Sequence, residues 1–468
     1  MIRALIFALL LLTVCAAQAV PLPDSVSSEL KKARIPIESV GIEVREVSSD
    51  APLVSVNATQ AMNPASTMKL LTTYAALDLL GPAYTWKTEA YLDGTLTDGV
   101  LRGNLVLKGY GDPQFTIEQL WLWLSELRAR GLREIHGDLV LDRSYFDLPA
   151  RDPGQFDNDP MRAYNVNPDA LLINFNTFRL RYFPEDKSVR VITEPALDSI
   201  RLDNQLALRA GNRSCDDWKD GIRVQLANGV ITVRGDFPEG CGEREQNLSL
   251  LPPTQYVDAV FRSVWKELGG TLTGKVREGR AGNAAKLFSA HDSPPLSDVI
   301  RGMNKFSNNV MARHLFLTLG VAGDSAGQGQ ASVALSIRAV QNWLRQKGLN
   351  LPNLALENGA GLSRVERITP DGMVNLLQSA NAHPFIAELE SSLPILGTDG
   401  TVKKRLRDKD ATGHAHLKTG TLDGVKTIAG YVNSRSGKRW IVVFFINHAN
   451  AAHGQAAQDA LIEWVAGR

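Results

Sequence analysis

A serine and a lysine three residues apart could together form a nucleophile. Ser66 and Lys69 follow the turn at Pro64 and open an apolar stretch that predicts a helix to about Leu80. Side chains at this spacing lie on one face of a helix, so the lysine amine can reach the serine hydroxyl. A serine needs an adjacent base, and a lysine serves as one only where burial or nearby positive charge keeps it neutral. The pair therefore predicts a nucleophilic serine.

The spacing alone does not identify a catalytic pair. Ser28 with Lys31 and Ser263 with Lys266 have the same spacing, which two exposed positions on a helix surface explain well. Ser66 differs because it comes directly after a turn, at a helix start whose free backbone N–H groups favour a developing oxyanion. A capping serine beside a solvated lysine is the alternative interpretation.

Two further clusters carry side chains that suit the same chemistry. Ser307 and Asn309 form a Ser-x-Asn group at the start of a predicted helix, and Lys418-Thr419-Gly420-Thr421 lies on a predicted strand. A helix cap would also explain the first cluster, and a solvated edge lysine would explain the second. If the clusters meet, their side chains form a proton network in which a cationic Lys418 helps to keep Lys69 neutral.

The flanking elements predict one domain built from both ends of the chain. Alternating apolar residues predict a hairpin at 39–47 and 52–57, directly before Ser66. The last third predicts consecutive antiparallel strands and a terminal helix, at 416–425, 427–434, 439–447 and 455–465. Helices are also predicted at 254–268, 296–303, 308–319, 331–346 and 370–379.

The segment between these ends is rich in predicted strands. They lie at 86–96, 100–108, 135–142, 171–182, 189–193, 200–208 and 221–234, with one helix at 117–130. Gly103–Lys108 and Gly137–Asp142 echo one another, which predicts a strand unit used twice. The fold class is thus α+β. Residues 20–84 and 285–468 form the main domain, and 85–284 form a long β-rich insertion of two small domains.

The first 19 residues have the pattern of a secretory signal peptide. Arg3 precedes an apolar run from Ala4 to Val14, and Ala17-Gln18-Ala19 offers a small-x-small cleavage site. The run is short for a membrane span, which favours cleavage over a signal anchor. We expect an exported, periplasmic protein with no transmembrane span after cleavage, and peripheral contact with the membrane stays open.

Charge, histidine and cysteine content limit the possible ligands and indicate the compartment of the protein. The 468 residues include 51 basic and 50 acidic side chains, and loss of Arg3 makes the two equal. This balance gives no support for nucleic-acid binding. The 8 histidines show no metal-ligand spacing, so no metal or other cofactor is predicted. Cys215 and Cys241 remain after cleavage, and in an exported chain we expect them to pair, with two buried thiols as the alternative.

Ser-x-x-Lys, Ser-x-Asn and Lys-Thr-Gly, in this order, resemble the three motifs of penicillin-binding proteins and serine β-lactamases. The long insertion between the first two motifs is similar to that of the low-molecular-mass class C, penicillin-binding protein 4-like group. In that group β-rich domains interrupt a β-lactamase/transpeptidase-like domain with an antiparallel sheet flanked by helices. Gly109–Pro113, Asn358–Arg364 and Gly397–Thr401 also look like stretches of that group.

The resemblance implies a serine D-alanyl-D-alanine carboxypeptidase that acts on peptidoglycan stem peptides and that β-lactam antibiotics acylate. DD-endopeptidase activity on cross-links is a further expectation. By this resemblance Ser66 attacks the carbonyl of the penultimate D-alanine, Lys69 accepts its proton, and Ser307 relays a proton to the departing amine.

The remaining motif residues would hold the substrate. Asn309 would bind the peptide amide, and Lys418 and Thr419 the terminal carboxylate. Gly420 lies in the same substrate-binding segment, and the N–H group of Thr421 would join that of the nucleophile in binding the oxyanion.

Three further residues are implied to line the substrate cleft. Asp159 resembles an aspartate that the insertion sends into the active site to meet the diaminopimelate side chain of the substrate, with Tyr164 and Arg364 beside it. The sequence around Asp159 departs from the family pattern, and Asp423 stands where a glutamine is expected. An acidic residue there predicts a changed preference for the substrate side chain.

Two other functions compete with this interpretation. A serine β-lactamase needs a base that hydrolyses the acyl-enzyme quickly, and no glutamate motif for that role lies between the first two clusters. A non-catalytic peptidoglycan-binding protein is the other alternative, against which the intact set of three motifs argues.

Overall fold

A computed structural model describes residues 20–210, 215–322 and 330–468. The predicted signal peptide, residues 1–19, lies outside the described residues. The helices are α1 (Asp24–Lys32), α2 (Lys69–Leu80), α3 (Ile117–Ala129), α4 (Pro253–Glu267), α5 (Leu296–Phe306), α6 (Asn309–Ala322), α7 (Val333–Gln346), α8 (Pro370–Asn381), α9 (Ile386–Ser392) and α10 (Gln455–Ala466).

The strands come mainly from the middle and the end of the chain. They are β1 (Val40–Glu46), β2 (Pro52–Val56), β3 (Lys87–Thr97), β4 (Val100–Gly109), β5 (Glu134–Ile135), β6 (Leu139–Asp142), β7 (Phe178–Pro184), β8 (Val189–Glu194), β9 (Arg201–Arg209), β10 (Ile222–Ala227), β11 (Val230–Pro238), β12 (Arg244–Leu248), β13 (Thr271–Leu272), β14 (Val276–Glu278), β15 (Lys286–Asp292), β16 (Ala415–Leu422), β17 (Val425–Asn433) and β18 (Arg439–Asn447).

A five-stranded antiparallel sheet joins the two ends of the chain, in the order β16-β17-β18-β1-β2. Successive side chains of a strand point to opposite faces. Val443 and Phe445 of β18 pack with helices α2 and α5–α9, whereas Val442 and Phe444 pack with α1 and α10. Helices cover both faces, which explains why β18 is apolar without alternation. This is the expected α+β arrangement.

Most predicted elements of this part are confirmed. The hairpin before Ser66 is β1 and β2, and the predicted C-terminal strands are β16, β17 and β18. The sequence analysis missed α1 and α9. In the inserted region it was wrong at residues 171–177, where a strand was predicted and the chain instead makes a tight turn with Phe175 at φ 55°.

Strands β3 to β15 form three separate sheets. A seven-stranded sheet contains β3–β6 and β13–β15, and two three-stranded sheets have the orders β10-β11-β9 and β12-β7-β8. Their buried apolar side chains form one continuous cluster with those of α3 and α4. The boundaries at residues 84 and 284 stay predictions. Strand β15, which follows residue 284, pairs with β3 and so shares the inserted sheet.

Cys215 and Cys241 form a disulfide within this inserted region, as expected. In the ranges that the structure describes, no helix is both long and apolar enough to cross a membrane.

Candidate active site

Ser66 lies on a short 3-10 turn, Ala65–Met68, that leads directly into α2. Asn63 fixes this turn because its Oδ1 accepts a hydrogen bond from the N–H of Ala65 at 2.9 Å. The backbone of β16 passes very close: a Cβ added to Gly420 would lie 2.7 Å from the nitrogen of Ser66. Gly420 therefore allows the strand to approach the nucleophile, a role for which only glycine is small enough.

Lys69 is fully buried, and its Nζ lies near three oxygen atoms. These are Ser66 Oγ at 3.0 Å, Asn309 Oδ1 at 2.6 Å and the carbonyl oxygen of Ala360 at 2.6 Å. A neutral amine has two N–H donors and one lone pair. Because Asn309 and Ala360 offer carbonyl oxygens that can only accept, they take the two N–H groups, and the lone pair faces the hydroxyl of Ser66.

The surroundings of Lys69 favour this neutral form. Burial holds the pKa of Lys69 well below its ordinary value, and the positive charges of Lys418 and Arg313 lower it further. The carboxylate of Glu366 acts in the opposite direction and raises the pKa of Lys69. Burial lowers the pKa of Arg313 only to about 10, so its guanidinium stays charged at neutral pH.

Ser307 and Lys418 form the second half of the proton network. Lys418 Nζ donates to Ser307 Oγ at 2.8 Å and to the carbonyl oxygen of Thr419 at 2.8 Å. Burial lowers the pKa of Lys418 to about 7, so it can exchange a proton near neutral pH. Ser307 ends α5 in a left-handed conformation, φ 58°, just before α6 begins at Asn309.

Strand β16 carries the third motif and forms an edge of the sheet. Residues 394–396 cover the start of its outer edge, since the N–H of Leu417 donates to the carbonyl oxygen of Pro394 and the N–H of Leu396 to that of Ala415, both at 2.9 Å. The edge from Lys418 onward can accept an extended peptide as an additional strand. Thr419 Oγ1 is 2.7 Å from Thr401 Oγ1, a hydroxyl whose place in the site the sequence analysis missed. The structure thus brings Ser66, Lys69, Ser307, Asn309 and the 418–421 segment together.

The three residues expected to line the cleft make contacts within the inserted region and with the turn after β16. Arg364 Nη1 donates to the carbonyl oxygen of Asp423 at 2.9 Å, and its guanidinium lies 4.9 Å from the ring of Phe156. Phe156 belongs to the inserted region, so that region reaches across to the catalytic side. Tyr164 is in the same inserted loop, where its hydroxyl donates to Asp157 Oδ2 at 2.7 Å.

Asp159 has a partner within its own loop. Its Oδ2 accepts a hydrogen bond from Arg162 Nε at 2.6 Å. The sequence analysis expected Asp159 to meet a substrate cation and did not identify Arg162. It also missed Asp157, which holds Tyr164 and Asn165. The role of Asp159 in binding the substrate stays a prediction.

The chain is similar along most of its length to known carboxypeptidases. It is 29% identical over 418 residues to the D-alanyl-D-alanine carboxypeptidase DacB of Haemophilus influenzae, covering 87% of this chain and 85% of that protein. The crystal structure of penicillin-binding protein 4 (dacB) from H. influenzae matches with a TM-score of 0.77 and 27% identity, over 94% of this chain and 99% of that one.

A second crystal structure of that penicillin-binding protein 4 contains a bound β-lactam. It matches with a TM-score of 0.73 and 25% identity, over 95% of this chain and 100% of that one. The sequence model of the D-Ala-D-Ala carboxypeptidase 3 (S13) family matches residues 22–467. This chain therefore belongs to the D-Ala-D-Ala carboxypeptidase 3 (S13) family.

Proposed function

We propose that this chain is a serine D-alanyl-D-alanine carboxypeptidase, exported to the periplasm, that acts on peptidoglycan stem peptides and is acylated by β-lactams. One observation carries the proposal: the buried Nζ of Lys69 lies 3.0 Å from Ser66 Oγ and 2.6 Å from two carbonyl oxygens, which take the N–H groups of a neutral amine and leave its lone pair for the serine hydroxyl. Family membership supports the substrate class. The disulfide supports export, because disulfides persist in oxidising compartments.

Acylation begins with transfer of the Ser66 hydroxyl proton to Lys69 Nζ. The freed oxygen attacks the carbonyl carbon of the penultimate D-alanine, and the carbonyl oxygen becomes an oxyanion. The backbone N–H groups of Ser66 and Thr421 stabilise that charge. The close approach of β16 to the nitrogen of Ser66 supports this pairing, because Thr421 directly follows Gly420.

Collapse of the tetrahedral intermediate breaks the bond to the terminal D-alanine. Ser307 donates a proton to the leaving amine, and Lys418, hydrogen-bonded to Ser307, replaces that proton. The product is an ester of Ser66. A water molecule then hydrolyses the ester, which releases the shortened peptide and restores the serine.

The substrate is held by groups around this centre. Asn309 binds a peptide amide, and Lys418 and Thr419 bind the terminal carboxylate, whose charge favours the protonated form of Lys418. Asp159, with Tyr164 and Arg364 nearby, binds the cationic end of the stem-peptide side chain.

DD-endopeptidase activity is a second candidate. A cross-link also ends in a D-alanyl carbonyl, so the same attack by Ser66 cleaves it and releases a larger amine. The part of the β16 edge from Lys418 onward supports this activity, because a longer peptide can pair along it.

Labelling with fluorescent penicillin tests the nucleophile. We expect covalent labelling of the wild type and complete loss in Ser66→Ala, together with loss of cleavage of a muropeptide pentapeptide and a cross-linked dimer. Ser263→Ala is the matched control, because Ser263 and Lys266 share the Ser-x-x-Lys spacing but Lys266 is exposed and pairs with Asp198. Labelling that persists in Ser66→Ala, or that disappears in Ser263→Ala, would contradict the proposal.

A further inference from the structure

Glu366 is a fully buried carboxylate outside the three motifs. Its Oε1 accepts hydrogen bonds from three consecutive backbone N–H groups, of Glu357 at 3.0 Å, Asn358 at 2.9 Å and Gly359 at 2.9 Å. One oxygen thus fixes the chain immediately before Ala360, whose carbonyl oxygen binds Lys69.

Other contacts make this loop stiff. Asn358 Oδ1 accepts from the N–H of Ala360 at 2.9 Å, and its Nδ2 donates to the carbonyl oxygen of Leu362 at 2.9 Å. The carbonyl oxygen of Gly359 accepts from Thr72 Oγ1 at 2.7 Å. A Cβ on Gly361 would lie 1.8 Å from the carbonyl oxygen of Ala65, so the loop also packs directly on the turn that carries the nucleophile.

We propose that Glu366 is a positioning residue for the reaction, because it fixes the Ala360 carbonyl that orients the lone pair of Lys69 toward Ser66. This inference rests on the proposed function. Without the carboxylate, three buried N–H groups lose their acceptor and the loop can shift. The amine of Lys69 then has no fixed second carbonyl acceptor, and its lone pair is no longer held on the serine hydroxyl.

The same carboxylate acts on Lys69 through charge. Burial raises the pKa of Glu366, and the three N–H donors oppose that rise. The charged groups around it are Arg313, Glu357 and Lys69, and Lys69 in turn faces Lys418. Since negative charge at Glu366 raises the pKa of Lys69, its removal should leave the amine neutral to lower pH.

Two substitutions separate positioning from charge. Glu366→Gln keeps the size and removes the charge, whereas Glu366→Asp keeps the charge but shortens the reach to the three N–H groups. We expect Glu366→Asp to slow acylation by penicillin at its optimal pH by about 10- to 100-fold, because misplaced catalytic groups have effects of this size. Glu366→Gln should stay nearer the wild-type rate at that pH, because its amide oxygen can still accept from the three N–H groups. The acidic limb of the pH profile should move to lower pH in Glu366→Gln only, because that variant alone removes the charge that raises the pKa of Lys69.

The test compares acylation rate constants from pH 5 to 9, with thermal unfolding to verify that each variant folds. Glu357→Gln is the control, since Glu357 lies on the same loop but its side chain pairs at 3.9 Å with Arg151 of the inserted region. A wild-type rate in folded Glu366→Asp would overturn the inference, and an unmoved acidic limb in folded Glu366→Gln would overturn the effect of its charge on Lys69. A wild type that penicillin does not acylate would instead overturn the proposed function.

Discussion

Asp159, which we propose binds the cationic end of the substrate side chain, forms an ion pair within its own loop. The carboxylate already binds Arg162, and about a third of each side chain is exposed. Exposed pairs of this kind contribute only about 0–1 kcal/mol to stability. A substrate amine can therefore join or replace Arg162 at little cost, provided that other contacts hold the peptide.

Asp159→Asn should weaken cleavage of peptides with a cationic side chain. The change keeps size and hydrogen bonding but removes charge, so we expect a loss of about 1.5 kcal/mol, roughly tenfold in kcat/KM, for diaminopimelate-containing peptides. Acylation of Ser66 by penicillin should stay close to the wild-type rate, because small β-lactams lack that side chain. Steady-state cleavage and penicillin acylation measure the two effects.

Asp186→Asn controls for the loss of one negative charge from the inserted region, since Asp186 lies on the exposed turn between β7 and β8. An equal loss of peptide cleavage and penicillin acylation in Asp159→Asn would assign Asp159 to the structure of the site and not to specificity.

At the scale of elements, a repeated strand unit builds the inserted sheet. β4 and β6 pair in parallel with Leu105 opposite Leu139 and Leu107 opposite Leu141, so the two echoing segments align residue for residue. Strand β14 continues the series, because Val276 lies opposite Leu139. The sequence predicted two copies and missed the third, whose residues differ except for the glycine, Gly274.

The glycines of this unit stack so closely that a methyl group does not fit. A Cβ on Gly137 would lie 2.3 Å from the carbonyl oxygen of Gly103, and a Cβ on Gly274 would lie 2.1 Å from that of Gly137. We expect Gly137→Ala to lower the free energy of unfolding by about 1–3 kcal/mol, as overpacking does. Urea unfolding measures the change.

Gly240→Ala is the matched control, because a Cβ there would meet no atom within 4 Å. Equal stability of Gly137→Ala and Gly240→Ala would show that the stacked strands separate without cost.

Periodicity predicted elements well where one pattern runs through one element. It found β1, β2 and α10 because their apolar residues repeat at the period of the element. It joined β5 and β6 into one strand, since nothing in the apolar pattern marks the break near Gly137. It missed α9, which is only seven residues long and offers too few turns for a period to emerge.

At the scale of the whole molecule, the site combines segments that lie far apart in the chain. Three of its residues could be predicted, because side-chain type and the order of the motifs are visible in the sequence; these are Ser66, Ser307 and Lys418. The acceptor at Ala360 was not, since every residue has a carbonyl oxygen and only the fold selects this one. The role of Glu366 could not be predicted for a related reason. Its hydrogen-bond partners are backbone N–H groups, which leave no pattern in the sequence.

The inserted region is joined to the catalytic side through α6, which begins at Asn309. Five residues further along this helix, His314 is fully buried, and both of its ring nitrogens make hydrogen bonds. Nδ1 lies 3.2 Å from the carbonyl oxygen of Gly111, and Nε2 accepts from the N–H of Asp169 at 3.3 Å. Only the neutral ring with its proton on Nδ1 satisfies both contacts. A second proton, on Nε2, would point at the N–H of Asp169, so that two donors would face each other and this hydrogen bond would be lost.

Acidification should therefore loosen this junction. Burial lowers the pKa of His314 from 6.5 to about 4, so between these values the unfolded chain binds a proton that the folded protein does not. The stability that His314 contributes is complete above about pH 6.5 and is lost as the pH falls toward 4. By linkage the loss reaches about 3 kcal/mol.

The nearby Asp112 acts in the opposite direction, because burial raises its pKa to about 7. The pH dependence of the wild-type free energy of unfolding therefore does not report His314 alone.

His314→Gln isolates it, because glutamine can donate to Gly111 and accept from Asp169 but does not titrate. The free energy of unfolding of the wild type minus that of His314→Gln should decrease by about 2–3 kcal/mol between pH 7 and pH 4.5. His136→Gln, at an exposed position, serves as the control. A constant difference across this range would mean that the junction admits the protonated ring, and that α6 does not couple the inserted region to Asn309 through a neutral histidine.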